Sequence, residues 1–334
     1  MDVARPRKRS LLLVAALAIA LVASGCAKAA EPKKTAGSEK KAIVPSALRI
    51  GTLPTEDILP LWAAESKGLF TAIDLKVTIV PFQSAQERDA AFASGAIDAF
   101  MGDIIAAASL EAAGVPVSLA TVMLGSTPPE GRFGIVVPPK STVTSLAQLA
   151  GVPVGTSSGT IQEYVLDGLM TQAGVPPYSV RVEEVKKVPV RFELLMAGKL
   201  KAAALPDPLL SLAVMQGAKL LADDTMGRNL SQTVLVVSDK YLAIPGGMEA
   251  LKRVLTVWDE GVALVNAVPD SWRSVLVEKA RLPKPLETTY QVNLYPKAQP
   301  PAKDDVDAVL EWMRAKGLLK ATLSYDDLVQ TIPK

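Results

Sequence analysis

Five consecutive small or hydroxyl residues, Thr156-Ser157-Ser158-Gly159-Thr160, stand directly before an apolar stretch with helical spacing. A loop of this kind offers free backbone N–H groups and hydroxyls to a polar or anionic group, or supplies an ordinary N-cap to the helix. Asp57, Asp103 and Asp207 stand in comparable positions, just before helical runs that begin at Leu59, Ile104 and Pro208. Each either meets a cationic or hydrogen-bond-donating ligand or caps its helix. Proline at the first helical position favours capping for Asp207. Arg191 suits bidentate capture of a carboxylate or sulfonate, or else a place on the surface. Phe82, Trp62 and Tyr164 suit stacking on a flat ligand and suit a core equally well.

The rest of the inventory sets bounds on the chemistry. The 334 residues include no histidine and one cysteine. That excludes Ser–His–Asp and Cys–His catalysis, His-ligated metals, an intrachain disulfide and an iron–sulfur cluster. The sequence contains no phosphate loop, dinucleotide fingerprint or metal cluster, so no cofactor or metal is expected and no residue reads as catalytic. Hydroxyls, carboxylates, backbone amides and an arginine hold a molecule well and offer little for transforming it.

Alternating elements must position these groups. Strands are expected over 48–52, 75–79, 96–101, 117–122, 133–137, 152–155, 180–185, 202–205 and 233–237. Helices are expected over 59–70, 86–94, 104–113, 160–173, 208–216, 248–267, 271–280, 304–316 and 325–331. This order predicts an α/β protein of two lobes, each a mainly parallel sheet flanked by helices. Ligands of such sheets lie beyond the carboxyl ends of the strands. The rule selects the loop 53–58 with Leu53, Thr55, Asp57 and Ile58, the turn Phe82-Gln83-Ser84, the pair Gly102-Asp103, and the loop 156–160. One internal echo supports two lobes of similar build. Ala93-Ser94-Gly95-Ala96-Ile97-Asp98-Ala99 leads to Asp103, and Ala197-Gly198-Lys199-Leu200-Lys201-Ala202 leads to Asp207.

The front of the chain reads as an address and a tether. Arg5, Arg7, Lys8 and Arg9 precede a 15-residue apolar run ending at Gly25. As a helix this spans only about 22 Å, short of a hydrocarbon core of roughly 30 Å. A basic segment, a short apolar segment and small residues form a secretory signal. Val22-Ala23-Ser24-Gly25-Cys26 resembles the lipobox of bacterial lipoproteins, which implies that Cys26 carries the lipid and that the chain is an extracytoplasmic protein anchored to the bilayer. Residues 1–25 are the expected signal and 26–47 a solvated tether. With four positive and one negative side chains in the first segment, and five and two in the second, 27 positive and 31 negative remain. The folded part is thus net −4 and gives no electrostatic support to a nucleic-acid partner.

The run Gly51-Thr52-Leu53-Pro54-Thr55, followed by Leu59-Pro60-Leu61-Trp62-Ala63-Ala64-Glu65-Ser66-Lys67-Gly68-Leu69-Phe70, resembles the opening of extracytoplasmic substrate-binding proteins of ABC importers. The nearest group handles thiamine-pyrimidine precursors, aliphatic sulfonates and nitrate. Ser94-Gly95-Ala96-Ile97-Asp98-Ala99, Val152-Pro153-Val154-Gly155, Leu205-Pro206-Asp207-Pro208-Leu209 and Tyr325-Asp326-Asp327-Leu328-Val329 extend the likeness over about residues 48–331. The cysteine-containing pyrimidine signature of the thiamine-precursor proteins is absent. The resemblance implies a type II periplasmic-binding fold with lobe 1 at 48–138 and 232–334 and lobe 2 at 139–231. It further implies a monomer that closes on a small-molecule solute and delivers it to an ABC permease. The alternatives are an enzyme on the same fold, a lyase or pyrimidine synthase, and a lipoprotein presenting its ligand to a sensor. The fungal-type synthase depends on an active-site histidine that this chain lacks.

Overall fold

The computed structural model describes residues 47–330. The signal, the lipobox with Cys26 and all of the expected tether except Ala47 lie outside the described residues. Ala47 itself opens the first strand.

Ten strands form among the described residues: β1 (Ala47–Thr52), β2 (Lys76–Pro81), β3 (Ala99–Gly102), β4 (Val117–Leu124), β5 (Phe133–Val137), β6 (Pro153–Thr156), β7 (Arg181–Glu184), β8 (Ala203–Pro206), β9 (Lys219–Asp223) and β10 (Thr233–Ser238). They make two five-stranded sheets, ordered β2-β1-β3-β10-β4 and β7-β6-β8-β5-β9. The architecture is α/β and two-lobed. β3, β4 and β8 are buried along their whole length because helices cover the sheets; β3 and β8 read as short apolar runs for that reason, while β4 also buries Ser118 and Thr121. The edge strand β2 alternates between exposed and half-buried positions.

The two sheets repeat one wiring pattern. β1 runs parallel to β2 and β3, as β6 does to β7 and β8. One strand in each sheet is reversed: β10 pairs antiparallel with β3 and β4, and β5 antiparallel with β8 and β9. These are the strands on which the chain enters from the other sheet. The sequence assigns Phe133–Val137 to the end of the first lobe, but this strand hydrogen-bonds into the second sheet. The first crossing therefore lies at 125–132, ahead of residue 138, and the second at 224–232. An apolar β-branched run declares a strand without declaring which sheet will pair with it. The crossings are stitched together. Gln232 Nε2 donates to Gly125 O at 3.2 Å, and Asn229 Nδ2 to Glu130 O at 2.8 Å. Gly125 has φ +86°, and a Cβ there would lie 2.8 Å from Gln232 Cα.

The long helix Gly247–Ala267 lies across the Leu59–Ser66 helix on the first sheet, and the contact closes at Gly261. A Cβ at Gly261 would stand 2.2 Å from Pro60 O, a backbone atom that cannot swing aside. Gly261→Ala is expected to cost about 2 kcal/mol even after a helix-propensity gain of about 1 kcal/mol. The melting temperature should fall by roughly 5 °C. An unchanged value would mean that the two helices separate freely.

Candidate functional site

A cavity of about 380 Å³ opens between the carboxyl ends of β1 and β3 on one side and of β8 on the other. The turn after β1 builds its most unusual wall. Thr55 N donates to Leu53 O at 2.8 Å, and the chain then makes one tight turn, Glu56–Ile58, into the Leu59–Ser66 helix. That turn directs Glu56 and Asp57 inward, where they are 4% and 8% exposed. Glu56 Oε1 accepts from Tyr290 Oη at 2.5 Å and Asn293 Nδ2 at 2.8 Å, while Tyr295 Oη donates to its backbone oxygen at 2.8 Å. Glu56 Oε2 and Thr55 Oγ1 are buried without a partner among the described residues.

Burial pushes the Glu56 carboxyl up to about 8, with the Tyr290 hydrogen bond opposing it and the charges of Asp207 and Asp57 adding to it. Burial beside Glu56 holds the phenols of Tyr290 and Tyr295 well above their ordinary value, so both remain donors. Asp57 accepts from Thr233 Oγ1 at 2.9 Å. Asp103 and Asp207 both take the capping role open to them in the sequence, and both face the cavity. Each accepts a backbone N–H of the helix that follows it, from Ala106 and Ser211, both at 2.8 Å. Burial raises both carboxyls, opposed chiefly by Arg88 at Asp103 and by the Ser211 hydrogen bond at Asp207.

Of the residues expected at the site, Leu53, Thr55, Asp57, Gln83, Gly102, Asp103 and Asp207 line this cavity. The others do not. Ile58 is fully buried in the core beside Trp62, Phe82 packs against a neighbouring cluster, and Ser84 caps the Ala85–Ala93 helix by accepting from Glu87 N. Tyr164 stacks edge-on against Trp312, with ring centres 5.3 Å apart.

None of Thr156, Ser157, Ser158, Gly159 and Thr160 lines the cavity. The Ser158 and Gly159 amides and the Thr160 hydroxyl are taken within the protein, whereas the Thr156 and Ser157 hydroxyls are buried with no partner among the described residues. Glu184 Oε2 accepts Ser158 N–H at 3.0 Å and Glu163 Oε2 accepts Gly159 N–H at 2.7 Å, while the Thr160 hydroxyl donates to Ser157 O. Two carboxylates of the chain itself thus hold two of the loop's backbone amides. Burial raises Glu184 but is outweighed by the hydrogen bonds from Ser158, so its carboxyl sits below the ordinary value. Arg191 is fully buried, donating to Val185 O at 2.6 and 3.1 Å, to Ala204 O at 2.9 Å and to Gln162 Oε1. Burial lowers it to about 10, opposed by the Glu184 charge, and it remains a cation at neutral pH. It acts as a structural tie and touches the cavity only through Gln162.

The cavity also gathers residues that local sequence did not mark: Glu56, Arg88, Arg132, Phe133, Gln162 and Pro208. Arg132 and Phe133 sit where the first crossing enters β5. Their role follows from the sheet assignment that the sequence left open.

The profile of the family described as NMT1/THI5 like matches residues 55–271. The chain belongs to the NMT1/THI5-like family. No curated protein matches its sequence. Solved structures similar to this NMT1/THI5-like protein include the alkanesulfonate-binding protein SsuA from Xanthomonas axonopodis pv. citri bound to MOPS. That pair is 21% identical with a TM-score of 0.73, covering 86% of this chain and 99% of the other. The periplasmic aliphatic sulphonate binding protein SsuA from Escherichia coli is also 21% identical, with a TM-score of 0.69 and coverage of 86% and 92%. A mutant of DSZB in complex with biphenyl-2-sulfinic acid is 15% identical, with a TM-score of 0.62 and coverage of 86% and 97%. At these identities the likeness establishes the periplasmic-binding-protein fold of this NMT1/THI5-like chain.

Proposed function

We propose that this NMT1/THI5-like protein is an extracytoplasmic solute receptor of an ABC importer, held to the bilayer through a lipid on Cys26. The observation that carries the reading is the cavity, with Glu56 Oε2 and Thr55 Oγ1 buried and unpartnered on one side and Asp207 and Phe133 across from them. A ligand there contacts both sheets at once. Drawing the two sheets together about the crossings at 125–132 and 224–232 stabilises a closed form, which the permease can distinguish from the open one. The sulfonate receptors that share the fold support a small organic solute as cargo. The lobes are taken to exchange at these two crossings and the receptor to act as a monomer.

Native mass spectrometry of the protein as purified, followed by a thermal-shift screen with whatever is released, tests the reading. A true ligand at about a hundred times its dissociation constant adds about 2.7 kcal/mol, or roughly 5 °C. No shift across sulfonates, heterocycles and small amines would sink it. One observation favours a second reading. A buried carboxylic acid near pH 8 is poised for general acid chemistry, and DSZB is an enzyme on this frame. Conversion of a bound compound by the purified protein would put that reading first.

A further inference from the structure

The charged groups of the cavity are unequally committed. Four carboxylates line it: Glu56, Asp57, Asp103 and Asp207. Of its three arginines, Arg88 is held by Asp89 at 2.8 Å and by Met101 O, and Arg132 by Asp223 at 2.7 Å. Arg281 is exposed at the rim, donating to Gln83 Oε1. Neither device that suits an anion lines this cavity. In the 156–160 loop the Ser158 and Gly159 amides are held by Glu184 and Glu163, while the Thr156 and Ser157 hydroxyls stay buried away from it, unpartnered among the described residues. Arg191 is held by backbone carbonyls. The atoms left open in the wall are Glu56 Oε2, an acceptor once the carboxyl gives up its proton, and a hydroxyl, Thr55 Oγ1. The surfaces around them are apolar, with Leu53, Phe133, Pro206, Pro208 and Leu209.

We infer that the cavity takes an organic cation, an amidinium or protonated amine on an apolar body, whose N–H groups donate to Glu56 Oε2 and the Thr55 hydroxyl with Asp57 and Asp207 alongside. This rests on the receptor reading and names the class of its ligand. Once ionised, a buried carboxylate with two carboxylates beside it favours a cation strongly, and an anion meets the same groups as repulsion. The groups facing Glu56 are Asp57 on its own turn, Asp207 with Arg132 at 3.9 Å from the second sheet, and Tyr290, Asn293 and Tyr295 from the C-terminal segment. Because Glu56 carries a proton below about pH 8 in the empty cavity, binding a cation expels it. Affinity then rises with pH up to about 8 and levels off above, at most about tenfold per unit.

The test uses three ligands with one ring and three charges: benzamidine, benzamide and benzenesulfonate, titrated calorimetrically against the full-length protein below and above pH 8. Benzamidine should bind at least about tenfold more tightly than benzenesulfonate and tighten as pH rises, and Glu56→Gln should remove both the preference and the pH dependence. Asp207→Asn, which leaves Glu56 in place, should reduce the preference without abolishing it, and serves if the first variant does not fold. A stronger hold on benzenesulfonate, or no preference among the three, overturns the inference and leaves the receptor reading standing. Binding of none of them also overturns it, while the compound released from the purified protein decides the receptor reading separately.

Discussion

Replacing Glu56 by glutamine is expected to stabilise the protein above pH 8 by on the order of 5 kcal/mol and to change little below pH 4.5. The sign follows from where the proton sits. Glu56 titrates at 4.5 in the unfolded chain and at about 8 when folded, so the folded state binds the proton more tightly. Its contribution is complete below 4.5 and is lost as pH rises through about 8, because over that window only the unfolded chain gains the free energy of ionisation. Each unit of the window is worth about 1.36 kcal/mol. Glutamine has no such proton and keeps the geometry: its Oε1 accepts from Tyr290 and Asn293 as the carboxyl does, and its Nε2 replaces the unpartnered Oε2. Denaturant unfolding of both proteins at a series of pH values reads the difference directly. Asp103, Asp207 and Asp224 are also raised by burial, but they are present in both proteins and largely cancel. A difference that stays flat with pH would mean that Glu56 is not held neutral by its surroundings.

The same residue shows how far local sequence reaches. The alternation of strands and helices was legible because β3, β5 and β8 are short apolar runs and glycines close the helices between them. The repeat was legible at Gly95 and Gly198, and it extends further than those segments. Arg88 and Arg191 each lie seven residues before their glycine, and each is buried and donates to a carbonyl of the following strand, Met101 O in β3 and Ala204 O in β8. The strand-end rule brought Leu53, Thr55, Asp57, Gln83, Gly102 and Asp103 to the cavity, and Asp207 reached it through its place before the next helix. The loop 156–160 does not line this cavity, and Glu184 and Glu163 hold its Ser158 and Gly159 amides; no local pattern distinguishes a filled helix terminus from an open one. Glu56 lies inside the selected loop 53–58, but nothing in the sequence singled it out there. An acidic residue beside another in a loop reads as solvated, and its burial is created by Tyr290 and Asn293 at the far end of the chain.

Arg191→Leu is expected to cost about 4 kcal/mol and to lower the melting temperature by roughly 10 °C. The guanidinium is enclosed by Val185 O, Ala204 O and Gln162 Oε1, and leucine leaves those acceptors buried without donors in a space it fills poorly. The two roles open to this arginine in the sequence differ in what they predict. A ligand clamp would lose affinity at constant stability, whereas a structural tie loses stability, and binding by the folded fraction changes only through Gln162. Arg191→Lys separates charge from geometry. Lysine restores the positive charge, but its single ammonium cannot span Val185 O on one side and Ala204 O on the other, so it should recover less than half of the loss. Arg88→Leu gives the comparison from the other sheet. Its guanidinium is equally buried but pairs with Asp89, which is 28% exposed and can rehydrate when the partner is lost. The first sheet should therefore tolerate its substitution better than the second, and equal losses would mean that the carbonyl contact, common to both, accounts for most of the cost.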